Sequence, residues 1–306
     1  MALVSPAIVA RRILLTVPRV DSRVLVYVAA FACIPLAFLV YWPRVSDFFV
    51  FDDYLNLATV RNHSFPGGMV RAFDFTVPRP FDPAIPSWRP LIDIYFYAAK
   101  PVGLHSQPFH MVNFALHGIV GGLAVLLVFR LRRAALPAAA TGLLFVVAPT
   151  YDYAVSWIGQ ASELLGYALI LTVLISYHSY LTARRQRPSL AIVTLGCVFF
   201  ALLTKESTVI LAVLLPALVF TVPPDSLQRS PSEIRWSLAP PLLMILTFVV
   251  AMEIANALLE QTPDHFIGLH IVHNWWRFLE WIALPYRAGE LMARLDKMTL
   301  HKRFRF

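Results

Sequence analysis

Only two cysteines occur in the chain, Cys33 and Cys197, and each falls inside an apolar run. That excludes a disulfide framework and a thiolate zinc site, and leaves both as buried space-fillers. Charge is equally scarce. Asp, Glu, Lys and Arg make up 14% of the 306 residues, whereas soluble domains carry roughly 25%. A water-surrounded globule is therefore excluded. No heptad, solenoid period or low-complexity stretch is present. Acidic residues are fewer than basic ones, giving a formal charge of +8. The basic residues sit in short clusters between apolar runs, which is the pattern of membrane-topology signals and not of a surface that tracks nucleic acid phosphates.

What the chain has in surplus is hydrophobicity, at 58% of residues. It is bundled into seven runs: Val24–Trp42, Phe109–Phe129, Leu136–Ala148, Leu164–Leu181, Leu190–Thr204, Thr208–Val222 and Leu238–Ala257. A span needs about 20 residues, relaxed by tilt and local thinning. The first, second, fourth and seventh runs have that length, while the third, fifth and sixth are short enough to be tilted or partly buried helices. If all seven cross, one side receives residues 1–23, 130–133, 182–189 and 223–237, with twelve basic residues against Asp21, Asp225 and Glu233. The other side receives 43–108, 149–163 and 205–207, with seven basic and nine acidic residues. The positive-inside rule makes 1–23 a cytoplasmic basic N-terminus and 43–108 a long first extracytoplasmic loop. No small-x-small cleavage site follows the first run, only Trp42-Pro43-Arg44, so it reads as an uncleaved anchor.

The outer loop opens on Phe51-Asp52-Asp53. Adjacent carboxylates beside a low-dielectric layer are costly to ionise, so such a pair points to proton or cation work. The alternative is a solvated loop start with one Asp capping the following helix. Ser64-Phe65-Pro66-Gly67-Gly68, Val77-Pro78-Arg79-Pro80, Asp82-Pro83 and Pro86 predict turns. The aromatic stretch Trp88 to Tyr97 predicts a helix lying at the interface. His110, Asn113 and His117 are spaced i, i+3, i+7 and share one helical stripe; interhelical hydrogen bonding and a ligand role are both open to them. Lys205-Glu206 sits alone between two apolar runs, either as a surface ion pair or as a holder of an anionic headgroup. Near the C-terminus, His265, His270 and His273 with Trp275 to Pro285 predict an interfacial helix or an eighth segment. The basic tail 286–306 then lies inside, or the chain ends before its architecture is complete.

Taken in order, Phe51-Asp52-Asp53, Trp88-Arg89-Pro90-Leu91, Pro108 through His117, Trp157-Ile158 through Glu163-Leu164-Leu165, and Lys205-Glu206 resemble the multi-spanning GT-C type glycosyltransferases. The likeness is to the protein O-mannosyltransferase-like branch that includes the transmembrane and tetratricopeptide-repeat enzymes, and it covers about Val24 to Pro285. Two places depart from that pattern: Ala148-Pro149-Thr150-Tyr151 stands where His-Pro-x-His is usual, and Gln160-Ala161 where Gly-Arg is usual. The resemblance implies an all-α membrane bundle of about seven or eight segments over 24–285, in the cell (inner) membrane, with interfacial helices in its first outer loop. It implies a sugar donor carried on a polyprenyl phosphate, an outer-face site and a catalytic aspartate at Asp52, with Asp53 beside it.

The residues fit that chemistry on their own terms. A carboxylate can deprotonate an acceptor hydroxyl as it attacks the anomeric carbon. A lipid phosphate leaves readily if cations stabilise it, and Arg89 and Lys205 are the outer-face cations available. Asp152, Glu163, Glu206, His110, Asn113, His117 and Trp157 are candidates to orient an acceptor or tune the site. No cofactor is assigned; Asp52, Asp53 and distant Asp152 make a thin ligand set for a divalent ion. The expected partners are the lipid-linked donor, the membrane and an extracytoplasmic acceptor (protein, glycan or lipid), with no nucleic acid. A transporter or lipid flippase, with the histidine stripe along its path, is the competing reading, and an inactive shortened member is a third.

Overall fold

A computed structural model describes residues 21–50, 52–61, 65–73, 88–99, 103–185 and 187–258. The remainder of the N-terminal basic segment, the turns expected at 77–86, the histidines at 265–273, the Trp275–Pro285 segment and the tail lie outside the described residues, as does the side chain of Asp52.

The described residues are helical throughout, without strands. Each apolar run becomes a helix: α1 Ser22–Tyr41, α5 Ser106–Arg132, α6 Ala135–Val147, α8 Ala161–Thr182, α9 Pro188–Leu202, α10 Leu211–Thr221 and α11 Pro231–Leu258. Between them lie α2 Asp52–Arg61, α3 Phe65–Ala72, α4 Pro90–Ala99 and α7 Asp152–Ser156. Local chemistry sets several of the boundaries. Asp21 caps α1 by accepting from the Arg23 N–H at 2.9 Å. Ser230 and Glu233 form a capping box ahead of α11, with reciprocal bonds of 3.3 and 2.8 Å. Pro90, Pro188 and Pro231 each occupy a first helical position, where no partner for an N–H is needed.

Four helical stretches, Ser22–Arg44, Ser106–Arg132, Ile158–Thr182 and Pro231–Ile254, are long and apolar enough to cross a membrane. Ala135–Val147 and Pro149–Ser156 pass that test only together, and they meet at a 49° bend. At 1.5 Å per residue α5 reaches about 40 Å, beyond the ~30 Å hydrocarbon layer, whereas α9 and α10 reach only about 22 and 16 Å. An integral membrane protein follows; seven full crossings do not.

Small residues bring the first helices close. A Cβ on Gly118 of α5 would lie 2.5 Å from the Ile34 Cα, and one on Gly122 would lie 2.6 Å from the Ala30 carbonyl oxygen. This is the small-xxx-small approach of membrane helices, which exchanges side-chain volume for backbone proximity. Val26, Ala29, Cys33, Ala37, Val125 and Val146 fill the seam between α1, α5 and α6. A second core joins α8, α9, α10 and α11 through residues such as Val173, Leu181, Leu211 and Ile245.

The helices alternate in direction, so the chain returns repeatedly to the same two ends. One end carries Arg23, Arg130, Arg132, Arg133, Arg184, Arg185 and Arg229. The other gathers the residues around 41–53, 106–113, 147–163 and 203–206. There α4 is anchored by a 3.2 Å bond from the Leu91 N–H to the Leu203 carbonyl, and its Ile92, Phe96 and Tyr97 are buried with Phe49, Val60, Phe109 and Ile158. The aromatic stretch expected as an interfacial helix thus packs one side against protein, with the Tyr95 and Phe96 rings 5.3 and 5.2 Å from that of Phe109. The turn expected at Phe65-Pro66-Gly67-Gly68 is also helical. Proline is tolerated in the first turn, and Gly68 leaves room for the Tyr97 ring pressed against it.

Candidate functional site

Asp53 is the most buried carboxylate at this end, at 1% exposure. One of its oxygens accepts from the Val50 N–H at 3.0 Å, closing the start of α2, and the other accepts from the Gly159 N–H at 2.7 Å. The nearby Trp157 side chain also favours the charged form of this carboxylate. Burial raises its pKa above the ordinary aspartate value, and these bonds together with nearby His110 oppose that rise without cancelling it. The phenol of Tyr95 is likewise pushed upward, first by burial and then by the Asp53 charge. The Asp53 side chain therefore makes the return bond of a capping box to Val50, and in addition ties α2 to the Trp157 segment.

The histidine stripe is fully buried and works on backbone. His110 Nε2 meets the Asp47 carbonyl at 3.0 Å, Asn113 Nδ2 donates to the carbonyls of Val155 at 3.2 Å and Trp157 at 3.0 Å, and His117 Nε2 meets the Val146 carbonyl at 3.2 Å. The Asp47, Val146 and Val155 carbonyls lie at helix ends or in an irregular segment, and that of Trp157 also accepts from the Gln160 N–H at 3.1 Å. Helix α5 thereby pins three segments at this end along one face.

The Lys205-Glu206 dipeptide is not a self-contained ion pair. Lys205 Nζ donates to Glu163 at 2.5 Å, and Glu206 receives a two-point contact from Arg89, 3.1 Å from Nε and 2.6 Å from an Nη. Burial alone would raise the Glu206 pKa, but the Arg89 hydrogen bonds and charge more than offset it, so the carboxylate is held below its usual range. These bonds leave the second Nη of Arg89 and two ammonium protons of Lys205 over for another anion. Asp152 belongs to a neighbouring exposed cluster, 3.1 Å from Arg44, which also approaches Asp47 at 3.6 Å.

Five chain segments singled out in the sequence thus form one connected set. Asp53 bonds to Gly159, Asn113 to the Trp157 carbonyl, Glu163 to Lys205, and Glu206 to Arg89. The backbone of Asp52 starts α2 beside Asp53. Sequence reasoning missed Gly159, Asp47 and Arg44. Only Gly159 carried a local signal, as a small residue two positions beyond the tryptophan. Among the described residues no three His, Cys, Asp or Glu side chains gather as a metal ion requires. No family model, curated protein or solved structure matches the chain.

Proposed function

We propose that this protein is a membrane glycosyltransferase that moves a sugar from a polyprenyl phosphate to an acceptor hydroxyl outside the cytoplasm. The observation that carries the reading is the connected set of polar contacts that joins residues 53, 89, 113, 157, 163, 205 and 206 at the end of the bundle opposite the arginine clusters. A donor of this kind needs a hollow at a membrane face with one base and several cations, and the residue types at this end are of that kind.

In this mechanism Asp52 is the base. Asp53 has its oxygens engaged by the Val50 and Gly159 N–H groups, which suits it to hold the start of α2. The hydroxyl proton passes to Asp52 as the acceptor oxygen attacks the anomeric carbon, and the carbon–oxygen bond to the lipid phosphate breaks. Arg89 and Lys205 stabilise the departing phosphate. Glu163 and Glu206 hold the two cations in place before the donor arrives. A single displacement inverts the anomeric centre.

The seven-crossing topology and the location of the acidic end outside the cytoplasm of the cell membrane belong to the same proposal. They rest on the separation of charge between the two ends. The full chain, folded in detergent, is incubated with a radiolabelled polyprenyl-phosphate sugar and an acceptor panel: a serine- and threonine-containing peptide, an oligosaccharide and a hydroxylated lipid. Transfer with inverted configuration supports the reading. No transfer to any acceptor from several such donors, by protein shown to be folded, counts against it.

A further inference from the structure

At the arginine-rich end, away from the contacts just described, a cavity of about 270 Å³ is lined by Arg130, Arg133, His178, Thr182, Thr221 and Ser226, with apolar residues between them. Three helices finish there: α5 at Arg132, α8 at Thr182 and α10 at Thr221. Such ends carry roughly half a negative charge each and orphan carbonyls, so arginines are expected nearby. Much of that demand is met from elsewhere, however. The Arg133 N–H takes the Phe129 carbonyl at 2.8 Å, the Val222 N–H takes that of Leu218 at 3.2 Å, and the Gln228 N–H takes that of Leu181 at 2.9 Å. The Thr182 and Thr221 hydroxyls donate to the His178 and Leu218 carbonyls.

The cations therefore exceed what the helix ends require. Among the described residues no carboxylate pairs with Arg130 or Arg133; Arg130 donates to the Ser179 hydroxyl, and exposed Asp225 does not line the cavity. Two further features are costly unless something occupies the space. His178 is 5% exposed, and its Nδ1 has no hydrogen-bond partner, which is expensive for a buried polar atom. Arg133 has φ 55°, in the left-handed region where a helix terminus ordinarily places glycine. The chain accepts that strain and keeps a cation at the cavity wall.

We infer that this cavity binds a phosphate group, either the headgroup of an anionic lipid or a free phosphate. The guanidinium groups of Arg130 and Arg133 supply charge and forked donors. His178 Nδ1 and the Ser226 hydroxyl supply two further donors, and the threonine oxygens accept from a protonated phosphate oxygen. The site is separate from the proposed donor site, and its occupant holds α5, α8 and α10 together at their shared end.

Binding is measured on the full chain in uncharged detergent, with dihexanoyl phosphatidic acid, inorganic phosphate and dihexanoyl phosphatidylcholine as probes. Saturable binding of phosphatidic acid is expected, weakened at least tenfold in Arg133→Gly and in Arg130→Gln. Arg133→Gly suits the left-handed backbone, so it retains the fold even if loss of the Ser179 contact makes Arg130→Gln unstable. Arg132→Gln, which removes an exposed arginine that does not line the cavity, serves as the control and leaves binding within twofold. Binding of phosphatidic acid without inorganic phosphate identifies a lipid site, and binding of both identifies a phosphate site. Absence of saturable binding, equal weakening by Arg132→Gln, or phosphatidylcholine binding as tight as phosphatidic acid overturns the inference.

Discussion

Asp53 shows how one side chain can fix the geometry of a whole end of the molecule. Its two oxygens close α2 and hold Gly159, so Asp53→Ala leaves two partly buried N–H groups without that acceptor. The expected cost is about 0.5–1.5 kcal/mol per hydrogen bond lost, read as a lowered midpoint of thermal unfolding in detergent, with Asp53→Asn falling between wild type and Asp53→Ala. Arg89 and Glu206 give a pH-dependent counterpart. Glu206 is held below its usual pKa by Arg89, so its contribution to stability is fully present above the ordinary glutamate range. That contribution is lost as pH falls through the lowered value. Arg89→Gln should therefore lower the unfolding midpoint at pH 7, and the gap to wild type should narrow in acid. Half of the Glu206 side chain is exposed, so the gap is modest, as for any solvent-screened pair.

At the scale of elements, the seam between α1 and α5 depends on Gly118 and Gly122 meeting the backbone of Ile34 and Ala30. Gly118→Leu cannot be accommodated by a rotamer change, because the nearest atoms belong to backbone. A cost of about 1–3 kcal/mol or more is expected, measured by unfolding in detergent. How much of this was legible in the sequence differs from element to element. Six of the seven apolar runs are helices within about three residues of their sequence bounds, since run length and flanking proline or arginine are local signals; the last, expected from Leu238, begins at Pro231. The stripe of His110, Asn113 and His117 was legible as a face, but its carbonyl partners were not. Those partners are backbone groups 29 to 63 residues away that no spacing announces. The same holds for Lys205 and Glu206. Adjacent in sequence, they suggested a local pair, and they bond instead to Glu163 and Arg89, 42 and 117 residues distant. The Phe65-Pro66-Gly67-Gly68 stretch has the residue types of a turn, and the space claimed by Tyr97 explains its glycine better than backbone freedom does. His178, one polar residue late in an apolar run, carried no weight until the cavity around it was seen.

For the molecule as a whole, the alternation of helices sorts the chemistry to two ends, one arginine-rich and one carrying carboxylates paired to cations. Charge asymmetry across a membrane bundle is a topology signal, and it is also a division of labour in which the proposed transfer site and the phosphate cavity lie at opposite ends. The most direct measurement of the central claim is the turnover of Asp52→Asn against wild type, both folded and both supplied with the same lipid-phosphate sugar and acceptor. General-base catalysis contributes about 10²–10⁴-fold, so kcat should fall at least a hundredfold, while Arg89→Gln, which removes charge from the departing phosphate, lowers kcat as well as weakening donor binding. An Asp52→Asn protein that turns over at the wild-type rate would contradict the account.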